Sequence, residues 1–302
     1  MPSEVHRGEL IAPHHRVLRV MGSAGPGLLW LVLFFALPLL IIIAISFLSR
    51  GEYGTIQGPF TLENYRRLAG FGLLGFDPLY PIIVLRSLAL GLGAAVLCLL
   101  AALPLAFFLA RLRRPFKNLA LILVVIPLWT NLLIRTYAWQ MLLGPGSWIT
   151  QAAVWLGAIA PGESLYPGAA AVYLSLVCDF LPFMALPLYA SVEKLDWSLV
   201  EAAMDLGANR VAAFRHGILP QIRPGLAAGS ILVFLPATGQ FVIPDLLGGA
   251  KTVMLGNALQ QQFGPGLDWP FGSAIAVVSL AVVIGALCIF FRRWDAKDLE
   301  IL

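Results

Sequence analysis

Of the 302 residues, 59% are apolar and only 12% charged, against roughly 25% charged residues in an average soluble domain. A chain of this make-up cannot cover itself with polar surface, which excludes a water-soluble globule. The formal net charge of +4 comes from basic residues scattered over short loops, so a basic, aromatic-studded nucleic-acid surface is excluded as well.

The apolar residues come in blocks at about 27–48, 87–110, 119–143, 168–190, 226–247 and 271–291. About 20 residues at 1.5 Å each match the roughly 30 Å hydrocarbon core of a bilayer. The expected fold is therefore an all-α membrane protein with six transmembrane helices. Residues 1–26 form a short polar tail with Arg7, Arg16 and Arg19, and 27–302 form one membrane domain. The first block, Gly27 to Leu48, is 22 residues long. That exceeds the about 7–15 of a secretory h-region, and Ala44-Ile45-Ser46 is a weak cleavage site, so a retained first helix is expected.

Between the third and fourth blocks, Trp148 to Ala160 is apolar for 13 residues, too short to span and suited to an interfacial or re-entrant helix. Two connections are long: 49–80 and 191–223. With the N-terminus inside, fourteen of the 20 Lys and Arg residues fall on inside segments and four outside, with Arg86 and Arg135 at membrane depth. Basic loops stay on the cytoplasmic side. Both termini and the 191–223 loop are thus expected in the cytoplasm, and the 49–80 loop outside.

Helix-breaking prolines recur in the blocks: Pro38, Pro104, Pro127, Pro182, Pro187, Pro236 and Pro244. Each removes a backbone donor, so kinks are expected there. Thr238, Gly239 and Gln240 group polar atoms between two of these prolines, which points to the lining of a path. Charges at membrane depth are costly, roughly 2.5–3.5 kcal/mol at a helix centre, and seldom face lipid. Asp179, beside Phe180, and Asp245, after Phe241, are candidates for a cation path, since carboxylates and aromatic faces replace lost hydration. The alternative is that either Asp pairs with Arg135 or Arg86 to hold helices together. Arg86 lies near an interface, where its head can snorkel. Trp129, Tyr137 and Trp139 fit an interfacial belt or helix packing. Cys98, Cys178 and Cys288 each sit in an apolar block without partners at metal-ligand spacing, so they are expected to be small buried hydrophobes and no metal site is expected.

In the 191–223 loop, Leu199 to Leu206 read as a helix that Asp196 or Ser198 can cap. Gly207 is free to take positive φ, and a second helical stretch runs to Leu219-Pro220. Leu199, Ala202, Ala203 and Leu206 recur at helical spacing, with Glu201 and Asp205 four apart on another face. An acidic stripe beside an apolar one suits docking. No catalytic pattern accompanies it. Gly248 to Thr252 fails as a phosphate loop because Ala250 and Asp245 stand where glycines are needed, and no nucleophile and base lie at workable spacing.

Glu201-Ala202-Ala203, Gly207 and Leu219-Pro220 together resemble the EAA loop of ABC importer permeases, with Gly217 in a place where that family usually has Ile, and Ile218 beside it. The resemblance extends to Phe60–Tyr65, Ile134–Ala138, Leu181–Met184, Pro187–Tyr189, Asp245–Lys251 and Asp268–Gly272, and in its closest form is to the spermidine/putrescine permease subunits. It implies a type I importer permease fold in the bacterial inner membrane and half of a path for a polyamine. The partners it implies are a homologous second permease, two cytoplasmic ATPases that use the ATP, and a periplasmic binding protein. No cofactor is expected on this chain. Glu201, Ala202, Ala203, Asp205, Gly207, Leu219 and Pro220 would couple to the ATPases. Asp179, Asp245, Arg135, Phe180, Phe241, Thr238 and Gln240 are the path candidates. Related permeases carry opines, phosphonates or ferric ion, and an ion-coupled secondary transporter would call for inverted repeats, which are not visible in the sequence.

Overall fold

A computed structural model describes residues 25–72, 75–249 and 253–293. The expected cytoplasmic tail, most of it, and both termini lie outside the described residues, as does Lys251. The helices long and apolar enough to cross a bilayer are α1 (Gly25–Ser46), α3 (Leu79–Arg111), α7 (Ala169–Glu193), α9 (Arg210–Gly239) and α12 (Trp269–Arg293). A bent pair, α4 (Phe116–Trp129) and α5 (Leu132–Leu143), supplies the sixth span. Between them lie α2 (Glu63–Leu68), α6 (Trp148–Trp155), α8 (Trp197–Asp205), α10 (Val242–Leu247) and α11 (Leu255–Phe263). The bundle has a loop end, carrying 191–209, and a far end, carrying 47–78, 144–168 and 240–268.

Three boundaries differ from the hydropathy reading. The third block is not one straight span, because α4 and α5 meet at 96°. Thr130 and Asn131 are extended there, with ψ of 148° and 133°, and the Asn131 side chain accepts from the backbone N–H groups of Leu133 at 2.8 Å and Ile134 at 3.4 Å. Asn is a strong N-cap, and it starts a new helix in the middle of an apolar run.

The fifth span is also displaced from 226–247. Helix α9 starts inside the loop at Arg210, runs through Pro220 and ends at Gly239, and extended Gln240 separates it from α10. Pro220 therefore does not close a separate loop helix. A π segment, Phe214–Ile218, precedes it, and a second, Val32–Ala36, precedes Pro38. Each ends two residues before a proline, so the carbonyl that the ring would strike lies in the wider π turn. The second span, in turn, extends from 87–110 to 33 residues, about 50 Å of helix, which carries it beyond the hydrocarbon.

The far-end loop adds elements that periodicity did not announce. Ser49–Arg50 (β1) pairs with Ile56–Gln57 (β2), and Phe71–Gly72 (β3) with Gly75–Phe76 (β4), both antiparallel. Helix α2 ties this loop to the ends of two spans. Asn64 donates to the carbonyls of Ser46 (2.9 Å) and Leu48 (2.8 Å), which the end of α1 leaves without helical donors. Arg67 pairs with buried Asp268 at 2.8 Å and stacks 3.9 Å over the Phe271 ring, while Asp268 accepts from the Phe271 N–H at the start of α12.

The core is the packing of α3, α7 and α9 on one another. Ala94, Cys98, Ala102 and Ala106 of α3, Leu176, Met184 and Leu188 of α7, and Ile222 and Val233 of α9 are buried there. Small residues are what close helix approach in lipid requires, since lipid gives no hydrophobic drive between helices. Cys98 is buried and Cys178 half-buried, but Cys288 is exposed on α12, contrary to the expectation of three buried thiols. Helix α1 leans on α12 and leaves the face from Leu28 to Phe35 uncovered. At the loop end, Lys117 and Glu193 pair at 2.8 Å and join α4 to α7.

The tightest approach is Gly91 of α3 on α9, where an added Cβ would stand 2.2 Å from Thr238 Oγ1. Gly91→Ala is expected to destabilise the protein by about 1–3 kcal/mol, the usual range for overpacking. The check is the melting midpoint in detergent, which Thr238→Ala in the same chain should partly restore.

Candidate functional site

The 191–223 loop is built on side-chain caps. Asp196 caps α8, its carboxylate accepting from Ser198 N–H at 3.0 Å and Ser198 Oγ at 2.6 Å. These two bonds hold the Asp196 carboxyl below its ordinary value of 3.8. The sign is that of a depressed acid: the cap stabilises fully above that value and is lost as pH falls through the lower folded pKa. Gly207 ends the helix at φ +89° with nothing within 4 Å of an added Cβ, so conformation and not crowding requires glycine there. Asn209 then caps α9, accepting from Ala212 N–H at 2.8 Å. Gln221 braces the two helices, accepting from Asp196 N–H at 2.9 Å and donating to Gly217 O at 2.7 Å. Buried Gly217 lies 3.5 Å from Val200 by its would-be Cβ, so the position where Ile was expected is the crossing point of α8 and α9.

Among the described residues, little covers the apolar stripe of α8 except at Ala203. Leu199 is 55% and Leu206 91% exposed. Glu201, Ala202 and Asp205 are exposed, Ala203, Leu219 and Pro220 half-buried, and only Val200 of α8 is buried. Glu201, Ala202 and Asp205 thus face outward, and α8 is held to the protein by buried Val200 and by the Gln221 brace at its start.

Arg135 and Asp179 meet at the α4–α5 elbow. Asp179 of α7 is 4% exposed, and Arg135 Nε lies against its Oδ1 as an ion pair. Arg135 Nη1 also donates to Pro127 O and, at 3.0 Å, to Thr130 Oγ1. One guanidinium thus joins the end of α4, the elbow and α7, and a cation at a helix C-terminus complements its dipole. Of the two readings open for Asp179, the structure shows pairing with Arg135. Phe180 next to it is buried, its ring 6.2 Å from that of Phe183.

Asp245 differs. It is exposed on α10, and among the described residues no ion-pair partner faces it; Arg86, also exposed, is not its partner. Phe241 and Gln240 are half-buried at the α9–α10 break, where Gln240 Oε1 accepts from the Phe241 N–H at 3.1 Å. Helix α11 buttresses the break: Asn257 donates to Phe241 O at 3.5 Å, and Ser87 of α3 accepts from the Leu255 N–H at 2.8 Å. Thr238 is 3% exposed, donates to Phe234 O at 2.8 Å and faces Gly91, so within this chain it is a packing residue and does not line an open path. The structure therefore gathers Asp245, Phe241 and Gln240 at one break and Asp179, Phe180 and Arg135 at another. Sequence reasoning missed the residues that make both breaks. Asn131, a cap residue inside an apolar block, was the available signal for the first; Asn257 and Ser87 gave none.

The chain matches the family model described as "Binding-protein-dependent transport system inner membrane component" over residues 102–299. It is 42% identical over 264 residues, 87% of this chain and 93% of the other, to the "Spermidine/putrescine transport system permease protein PotB" of Escherichia coli (strain K12). The like-named protein of Haemophilus influenzae is 40% identical over 264 residues, 87% of this chain and 90% of the other. The "Inner membrane ABC transporter permease protein YdcU" of Escherichia coli (strain K12) is 31% identical over 288 residues, 91% of this chain and 88% of the other. In fold, the chain is similar to a solved chain from "a bacterial ABC transporter involved in the import of the acidic polysaccharide alginate", with a TM-score of 0.67 at 15% identity, covering 93% of this chain and 99% of that one.

Removing one partner of the elbow pair strands a buried charge, so Asp179→Ala or Arg135→Ala is expected to cost about 3–5 kcal/mol. The double variant should be less harmful than either single one. Melting midpoints of the four proteins in detergent close that cycle.

Proposed function

Because the chain belongs to the binding-protein-dependent transport system inner membrane components, we propose that it forms half of the path of an ATP-driven polyamine importer. The observation that carries the mechanism is mechanical. Helix α9 runs unbroken from the 191–223 loop, beside exposed α8, to the break at Gln240 and Phe241 next to Asp245. Thirty residues make a rod about 45 Å long, so displacement of the loop moves the far-end break directly.

In this reading Glu201, Ala202, Ala203, Asp205, Gly207, Leu219 and Pro220 form the handle gripped by two ATPase subunits, which bind and hydrolyse the ATP. In this scheme the chain itself is assigned neither an ATPase site nor a cofactor. Leu199 and Leu206 supply the buried apolar part of that contact, and Glu201 and Asp205 its charges. A homologous permease completes the path, a periplasmic binding protein delivers the solute at the far end, and both termini lie in the cytoplasm.

The polyamine reading rests on the likeness to relatives named for spermidine and putrescine, and Asp245 is the group in this chain that suits such a cargo. Among the described residues its carboxylate has no ion-pair partner, and a charge exposed at the edge of the bilayer avoids lipid. Phe241 stands one helical turn before it, its carbonyl accepting from the Asp245 N–H at 3.0 Å, so the two residues together offer an ammonium a counter-charge and a π face. Arg135 and Asp179 hold the elbow and do not face the cargo.

Reconstituted vesicles with the sister permease, ATPases and binding protein are expected to take up labelled putrescine or spermidine only with ATP. Uptake of an opine, phosphonate or ferric ion in their place would overturn the polyamine reading and keep the importer. Glu201→Arg should leave the complex inserted and abolish ATP hydrolysis stimulated by the binding protein; full stimulation would remove the coupling role. Asp245→Asn should lower polyamine uptake on the order of ten-fold, equivalent to about 1.4 kcal/mol, with basal ATPase unchanged.

A further inference from the structure

Helix α6 turns two tryptophans outward, and among the described residues nothing covers them. Trp148 is 71% and Trp155 86% exposed, and Leu156, just past the helix, is exposed too. They stand seven residues apart, two turns of α-helix, so both indoles share one face. The opposite face is fastened to the protein: buried Thr150 donates to Leu143 O at 2.9 Å, and Ser147 caps the helix start, accepting from the Thr150 N–H at 3.2 Å. At eight residues the helix is about 12 Å long, too short to cross a bilayer.

The sequence around α6 identifies what covers that face. No Lys or Arg occurs between Arg135 and Lys194, a stretch that holds the entire connection between the third and fourth spans. Cationic anchors to the phosphate layer are therefore missing where two spans reach the far end. Trp is the other residue that settles at that depth, its ring among the acyl chains and its N–H toward the headgroups. The helix itself carries no charge, as a face turned to a soluble partner ordinarily would.

We infer that α6 lies in the headgroup layer at the far end, with Trp148 and Trp155 embedded in lipid as the anchor of this side of the bundle. The anchor fixes a functional element. Helix α5 is held at the elbow by Arg135 on Asp179, and it leaves through Gly144, Pro145 and Gly146 directly into α6. Lipid at one end and an ion pair at the other thus set the depth of α5, on which α10 with Asp245 packs. The inference needs only the bilayer and is independent of the solute carried.

The test uses the complete transporter in nanodiscs and the double variant Trp148→Phe, Trp155→Phe. The difference between parent and variant fluorescence isolates these two indoles from the other six. That difference is expected to be quenched by phospholipids brominated near the headgroup end of their acyl chains and to be insensitive to aqueous iodide. Quenching by iodide without quenching by bromolipid would place the helix in water. Insensitivity to both would place it against another subunit. Either result overturns the proposal; should the double variant fail to assemble, each single Phe variant gives the same comparison.

Discussion

Inside a bilayer every backbone N–H and C=O needs a partner from the protein, and this requirement governs each place where the chain departs from helix. At the elbow, Thr130 Oγ1 donates to Pro127 O at 2.8 Å, Arg135 adds a second donor to that carbonyl, and Asn131 takes up the first N–H groups of α5. At the α9 break Gln240 answers the N–H of Phe241, and Asn257 its carbonyl. The end of α1 is closed by Asn64 and the start of α12 by Asp268. Polar side chains at these breaks and helix ends are thus spent on backbone groups.

That accounting separates the two aspartates, which looked alike in the sequence. Asp179 lies in an unbroken stretch of α7, where its carboxylate has only the guanidinium from a neighbouring span to answer it. Asp245 lies just after a break, on a short helix where it is exposed among the described residues. Proximity to an aromatic ring in the sequence did not distinguish them; burial by other spans did.

The fold was legible where the bilayer dictates it. Six apolar blocks correspond to five long helices and one bent pair, and the capped helix ending at Gly207 follows from local chemistry alone. What escaped was long-range or proline-dependent. Hydropathy averages over Asn131 and so could not see a right-angle turn, and the π segments before Pro38 and Pro220 let helices continue where a proline ordinarily ends them. Of the stretches that carried the resemblance in the far-end loop, Phe60–Tyr65 holds Asn64, which closes the end of α1, and Asp268–Gly272 opens on Asp268, which forms a clasp with Arg67 two residues past the first stretch.

That clasp joins residues 201 positions apart in a chain of 302. Asn64 closes α1 with partners less than twenty residues away, whereas Arg67, three residues on, meets its counter-charge only once Asp268 has been made at the threshold of α12. The loop after α1 is therefore fixed in two stages, and loss of the Asp268 carboxylate would release Arg67 while leaving the closure of α1 by Asn64 in place.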